Sequence, residues 1–228
     1  MRRIRSTSAF TLIELLVVIG IISILIAVSF PAYSSVMKHA QCAGCVAHMR
    51  TLGLGFTTYA TDNDGQFPGR VTTTGVSRWP TLLLPYVSDV HNYLDPGDMV
   101  ATKVPLATVV SDSSNNSSFF FNGFNDSGAY TDQSFTMRLS NLTNMSNLIL
   151  LGQKMNGNTQ FYMDFVEGNQ ANILNKSAYF KGANYTFADG SSRFISQVDY
   201  DKVSSGTASD GDKMWLVDQS YTIPPPPH

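Results

Sequence analysis

Four side chains that bind soft metals, His39, Cys42, Cys45 and His48, recur every three residues. Zinc takes four such ligands at about 2.0–2.3 Å in a tetrahedron. On a helix these positions are strung along about 13.5 Å of axis and rotate around it, so they cannot close on one ion. Haem attachment is excluded too, because Val46 rather than His follows Cys45. What remains is thiol chemistry: a local Cys42–Cys45 disulfide, favoured in an oxidising compartment, or two packed thiols. For a hard cation, Asp199, Asp201, Asp210 and Asp212 offer oxygen ligands that suit calcium, against the alternative of a solvated acidic loop. "ATDNDG" (60–65) imitates half an EF-hand but has Ala60 at the first ligand position and Val71 at the twelfth. No nucleophile elbow, phosphate-cradling glycine loop or His-Glu-x-x-His is present, so no enzymatic activity is expected.

The most informative carboxylate is Glu14, the fifth residue of a 21-residue apolar run from Phe10 to Phe30. A charge in hydrocarbon costs about 2.5–3.5 kcal/mol on insertion scales, so Glu14 needs a partner. Cleavage between Ala9 and Phe10 would create an α-ammonium at Phe10, within reach of Glu14 in the same helix. In a staggered bundle of identical helices it would instead meet a neighbour's Glu14 and set the register, as buried polar groups do in coiled coils.

These residues need a helix to carry them. As a helix the run spans about 31 Å, matching a hydrocarbon core of about 30 Å. Arg2, Arg3 and Arg5 precede it, which predicts a single pass with the N-terminus cytoplasmic and the rest exported. A secretory signal cleaved after Ala27-Val28-Ser29 would have an uncharged apolar region of only about 7–15 residues. Without the three arginines the net charge moves from −2 to −5, which argues against nucleic acid as a partner.

Beyond the run, Cys45, Met49, Leu52, Phe56 and Tyr59 share one helical face, and this stripe should pack on the chain's own domain. Pro31 should kink the helix, and Gly53 and Gly55 would allow close approach to strands. "TDNDGQFPG" (61–69) should end the helix. Six short runs then read as strands or helix turns: 79–87, 118–124, 148–152, 161–166, 184–188 and 192–195. Residues 199–212 read as a long loop and the terminal "PPPPH" as an extended tail. The expected fold is α+β: a long N-terminal transmembrane helix continuing into a small domain built on an antiparallel sheet. The organisation is a basic leader (1–9), a transmembrane and assembly helix (10–30), its amphipathic continuation (31–61) and a β-rich domain (62–228).

"SAFTLIELL" (8–16), with its basic leader and an apolar run ending at Pro31, resembles the class III signal of type IV prepilins and type II secretion pseudopilins. That resemblance implies cutting by a prepilin peptidase before Phe10 and methylation there, with Ala9 replacing the family's usual Gly. It also implies assembly through Glu14, other pilin subunits and an inner-membrane platform as partners, and a periplasmic or cell-surface filament. The implied shape is a lollipop, and some major pseudopilins hold calcium near the C-terminus.

"CVAHMRTLGLGFTTYATDNDGQFPG" (45–69) and "YFKGANYTFADGSSRFI" (179–195) resemble the planctomycete-type group of such proteins, which carries a late His-x9-Asp-Gly motif. Here Tyr179 replaces the His, while Asp189-Gly190 remains and reads as a hairpin turn. In relatives the cysteine matching Cys45 pairs with one in a later Cys-Pro segment; here Asp95 of "YLDPGD" stands in that place. A rival reading is a membrane-tethered surface module that does not polymerise, with glycans as candidate ligands at Trp79, Tyr130 and Trp215.

Overall fold

The computed structural model describes residues 10–69, 78–98, 100, 103–123, 137–142, 144–163, 170–204 and 209–216. The leader through Ala9, Tyr130 and the proline-rich end lie outside the described residues. The chain divides into two compact units, Met1–Ala40 and Gln41–His228.

One helix, α1 (Leu12–Asp62), contains the apolar run and its continuation, and the helical assignment passes through Pro31 without a break. It begins at Thr11, whose carbonyl accepts the Leu15 N–H at 3.3 Å. It ends where Asp64 (φ 54°) and Gly65 (φ 78°) turn left-handed and the Gly65 N–H returns to the Ala60 carbonyl at 2.8 Å. That is the stop read from "TDNDG": Gly takes positive φ freely and Asp tolerates it.

Within the second unit, Cys45, Met49, Leu52, Phe56 and Ala60 are fully buried, so the stripe packs as expected, with Tyr59 half-buried at its margin. A short helix, α2 (Trp79–Leu83), then covers part of the same core. The described strands are β1 (Phe119–Asn122), β2 (Ile149–Gln153), β3 (Tyr162–Met163), β4 (Gly182–Phe187) and β5 (Ser192–Ser196), in the order β3-β1-β2-β4-β5. The β1–β2, β2–β4 and β4–β5 pairs are antiparallel, but β3 lies parallel to β1. The sheet is therefore mixed rather than wholly antiparallel. A chain leaving β2 and turning back runs in the direction of β1, and it docks on β1's outer edge because β4 holds the other side of β2.

Side chains alternate across a strand, and β1 shows it. Phe119 and Phe121 join the core under α1, where Phe121 stacks on Phe56 at 4.8 Å. Phe120 points into a second core with Tyr185, Phe187 and Trp215 and stacks on Trp215 at 5.3 Å. Each such ring buried contributes about 1.5–3 kcal/mol. Besides three 3-10 turns at Val90–Tyr93, Leu106–Thr108 and Leu139–Asn141, the described residues form three more short helices: α3 (Gln170–Ile173), α4 (Gln197–Asp201) and α5 (Asp210–Lys213). Residues 199–212 are thus not a loop throughout, because helical turns stand at both ends. Ser196 and Ser209 cap them, accepting the N–H of Asp199 at 3.1 Å and of Asp212 at 3.0 Å. Ser-x-x-Asp is the signal of such caps.

Candidate functional site

The apolar run from Phe10 to Phe30 is exposed throughout, with Phe10 itself 80% exposed. α1 is long and apolar enough here to cross a membrane. At its first turn Glu14 Oε2 accepts the Thr11 N–H at 2.8 Å and the Thr11 hydroxyl at 2.7 Å. The Glu14 N–H in turn reaches Thr11 Oγ1 at 3.3 Å. This is a reciprocal capping box, whose Thr-x-x-Glu signature lies in "TLIE". In the uncut chain, where the Phe10 nitrogen is still a peptide nitrogen, Glu14 pairs with Thr11. The cap satisfies hydrogen bonds but brings no positive charge of its own, and the negative charge is what is costly in hydrocarbon. Farther along, Ser34 donates to the Pro31 carbonyl at 2.9 Å.

In the second unit the helix approaches β4 closely. Thr186 and Asn184, both on the face of β4 turned to α1, donate to the carbonyls of Met49 (3.1 Å) and Cys42 (3.3 Å). A Cβ at Gly53 would stand 2.6 Å from Thr186 Cγ2 and 2.9 Å from the Gly190 carbonyl. Gly53 thus serves the strand contact read from the sequence, whereas Gly55 makes room for Val87, which belongs to no strand. Asp189-Gly190 is the β4–β5 turn, closed by the Phe187 N–H to the Ser191 carbonyl at 2.8 Å, with Gly190 at φ 80°. Its backbone rests against Gly53, so the turn also fixes the distance from sheet to helix.

A buried polar network lies beside this contact. The Tyr179 hydroxyl and the Gln153 side-chain amide donate to the Asp95 carboxylate, and the Gly97 N–H does so at 2.9 Å. Gln153 Oε1 accepts the Asn184 N–H at 2.7 Å, and its amide nitrogen lies 3.4 Å from Cys45 Sγ. Burial raises the pKa of Asp95, against these hydrogen bonds, and burial also raises those of Cys45 and Tyr179. Asp95 sits close enough to Cys45 to be felt by its thiol. Tyr179 is bound to the same carboxylate. Both cysteines are free thiols, Cys45 buried and Cys42 half-buried. Lys154, 5% exposed, donates from Nζ to the Asn115 carbonyl at 2.6 Å, and burial lowers its pKa to about 7.

The candidate metal sets do not converge. His39 and His48 each hydrogen-bond a backbone carbonyl at 2.8 Å, of Ser35 and of Leu94. Asp199 binds the Ser196 hydroxyl at 2.6 Å, and Asp201 pairs with Lys176 at 3.0 Å. Asp212 accepts the Tyr200 hydroxyl at 3.0 Å, and hydrogen bonds from Ser204 hold the Asp210 carboxyl below its usual range. Among the described residues no three His, Cys, Asp or Glu side chains are placed to share an ion. The four aspartates as they stand do not fit calcium. Trp79 and Trp215 are fully buried and line no surface, each donating its indole N–H inside the fold, to the Phe161 carbonyl (3.0 Å) and the Tyr200 hydroxyl (2.8 Å).

The prokaryotic N-terminal methylation motif matches residues 4–30. Two fimbrial proteins of Neisseria meningitidis are similar to the chain. The serogroup B protein is 37% identical over 82 residues, 36% of this chain and 48% of that protein. The serogroup A protein is 34% identical over 107 residues, 47% of this chain and 58% of that protein. Together they support a type IV pilin-like protein. The chain spans about half the length of the curated relatives it matches. No solved structure matches. The methylation motif ends where the apolar run ends, at residue 30, and takes in the Thr11–Glu14 cap.

Proposed function

We propose that the chain is a structural, non-enzymatic subunit of a type IV pilus-like or type II secretion pseudopilus filament. A prepilin peptidase cuts between Ala9 and Phe10, the new N-terminus is methylated, and subunits polymerise through the apolar part of α1 on an inner-membrane platform. Before assembly the chain is a single-pass membrane protein with its N-terminus cytoplasmic; afterwards its domain is displayed on a filament. On the 179–195 segment we place it with the planctomycete-type group.

The observation that carries this reading is the exposed apolar run with Glu14 at its start, capped by Thr11, which supplies hydrogen bonds but no positive charge. A bundle of like helices buries the run and brings a neighbour's Phe10 ammonium to that charge.

Two variants separate the cap from the charge. Glu14→Gln keeps an acceptor for the Thr11 N–H but deletes the charge, whereas Glu14→Ala deletes both. Both should be processed and membrane-anchored. Both should enter filaments at least about tenfold less than the parent, the change that about 1.4 kcal/mol of lost pairing produces. Filament incorporation of Glu14→Gln at the parent level would remove the ion pair from the account.

A further inference from the structure

A cleft of about 130 Å³ opens in the second unit, lined by Asp95, Asp98, Ser118, Lys154, Asn156 and Asn175 among others. At roughly 30 Å³ per water it holds a few waters, and it is far smaller than the roughly 300–1,000 Å³ of a drug-sized pocket. A ligand would have to be one small ring or the edge of one.

The lining sets the chemistry. Lys154 is almost fully buried, and its ammonium has three donors, of which the Asn115 carbonyl takes one. Asp98 accepts the Ser118 hydroxyl at 3.0 Å and lies close enough to act electrostatically on Lys154. The amide of Asn156 stands exposed at the rim. An anionic ligand would meet the charges of Asp95 and Asp98, and a cationic one the charge of Lys154. Neutral hydroxyl groups both donate and accept, and so match donors and acceptors placed side by side.

A second observation comes from the turn that forms one wall. Tyr179 and Gly182 close it with reciprocal N–H to carbonyl bonds of 2.8 and 2.6 Å. Its two central residues, Phe180 (φ 43°) and Lys181 (φ 59°), are left-handed without being glycine. Positive φ at both central positions is what a two-residue type I′ turn requires, and Phe and Lys adopt it at some cost. Here it accompanies the placing of Tyr179 against Asp95 and leaves the Phe180 side chain 47% exposed, one residue beyond the cleft wall.

We propose that this cleft binds a small neutral polyhydroxylated ligand, a monosaccharide unit of a glycan, whose hydroxyls accept from the Lys154 ammonium, donate to the Asp98 carboxylate and hydrogen-bond the Asn156 amide. The site does not depend on polymerisation through α1, so it stands or falls separately from the filament reading.

The test uses the full chain in detergent, titrated calorimetrically with glucose, galactose, mannose and N-acetylglucosamine, and with acetate as an anionic control. At least one sugar should bind saturably in the millimolar range. Asn156→Ala, a rim change that spares the core, should weaken binding by tenfold or more at unchanged melting temperature, and Lys154→Met, which keeps the buried stem, should weaken it at least as much. Should Lys154→Met fail to fold, Asn156→Ala alone decides. Absence of binding by all four sugars, binding of acetate in their place, or sugar binding indifferent to Asn156→Ala would each overturn the assignment.

Discussion

The two halves of α1 are built from the same regular backbone and end in opposite surroundings. From Leu12 to Val36 its large apolar side chains are exposed among the described residues. From Cys45 to Ala60 the stripe of Cys45, Met49, Leu52, Phe56 and Ala60 is fully buried against the strands and α2, while Leu54 stays exposed. The difference shows in patterning. The first half is apolar on nearly every side, which suits a lipid or a ring of like helices; the second gathers most of its large apolar residues in one stripe, which suits a domain. One helix thus carries two specifications, one for the fold and one for an environment outside it.

Substitutions can divide the two halves. Phe56→Ala removes a ring stacked on Phe121 and should cost the domain about 3–5 kcal/mol, read as a lower denaturation midpoint with membrane association unchanged. Leu16→Lys should do the reverse, adding about 2.5–3.5 kcal/mol to insertion while leaving domain melting where it was. If Leu16→Lys lowered the domain's melting temperature, the separation of roles would fail.

Gly53→Ala sharpens the comparison inside the buried half. Its methyl group would press on Thr186 and the Gly190 carbonyl and should cost about 1–3 kcal/mol, whereas Gly20→Ala, with open space around it, should leave domain stability unchanged.

A further effect concerns pH. Because burial lowers the pKa of Lys154 to about 7, the folded domain holds fewer protons than the unfolded chain from there up to the usual lysine range. Stability from this group is therefore lost as pH falls toward 7 and regained as it rises, by at most about 1.4 kcal/mol per pH unit. Chemical denaturation of Lys154→Met across that range should lack this slope.

What could be read in advance was local. The stripe from Cys45 to Phe56, the stop at Asp64-Gly65 and the Asp189-Gly190 hairpin each rest on residues within one turn or one helical face. The capping boxes were equally local, in "TLIE", "SQVD" and "SDGD", and they account for Glu14's partner and for Asp199 and Asp212 in the capped turns that replaced a loop. Those patterns were present but were outweighed by the ion-pairing and metal chemistry of the same carboxylates. The rest joins residues far apart in sequence. Tyr179 and Asp95 are 84 positions apart, and Thr186 meets Met49 across 137. No periodicity encodes such pairings, nor the parallel docking of β3 on β1. The cleft follows from them, because its carboxylates, lysine and amides come together only once the sheet has formed.

The most direct test of the filament account is the N-terminal residue and intact mass of the protein recovered from membranes. A chain beginning at methylated Phe10 is the predicted result, since it places an ammonium where Glu14 needs one. A chain retaining Met1, or one beginning at Phe30 after loss of the whole run, would contradict it.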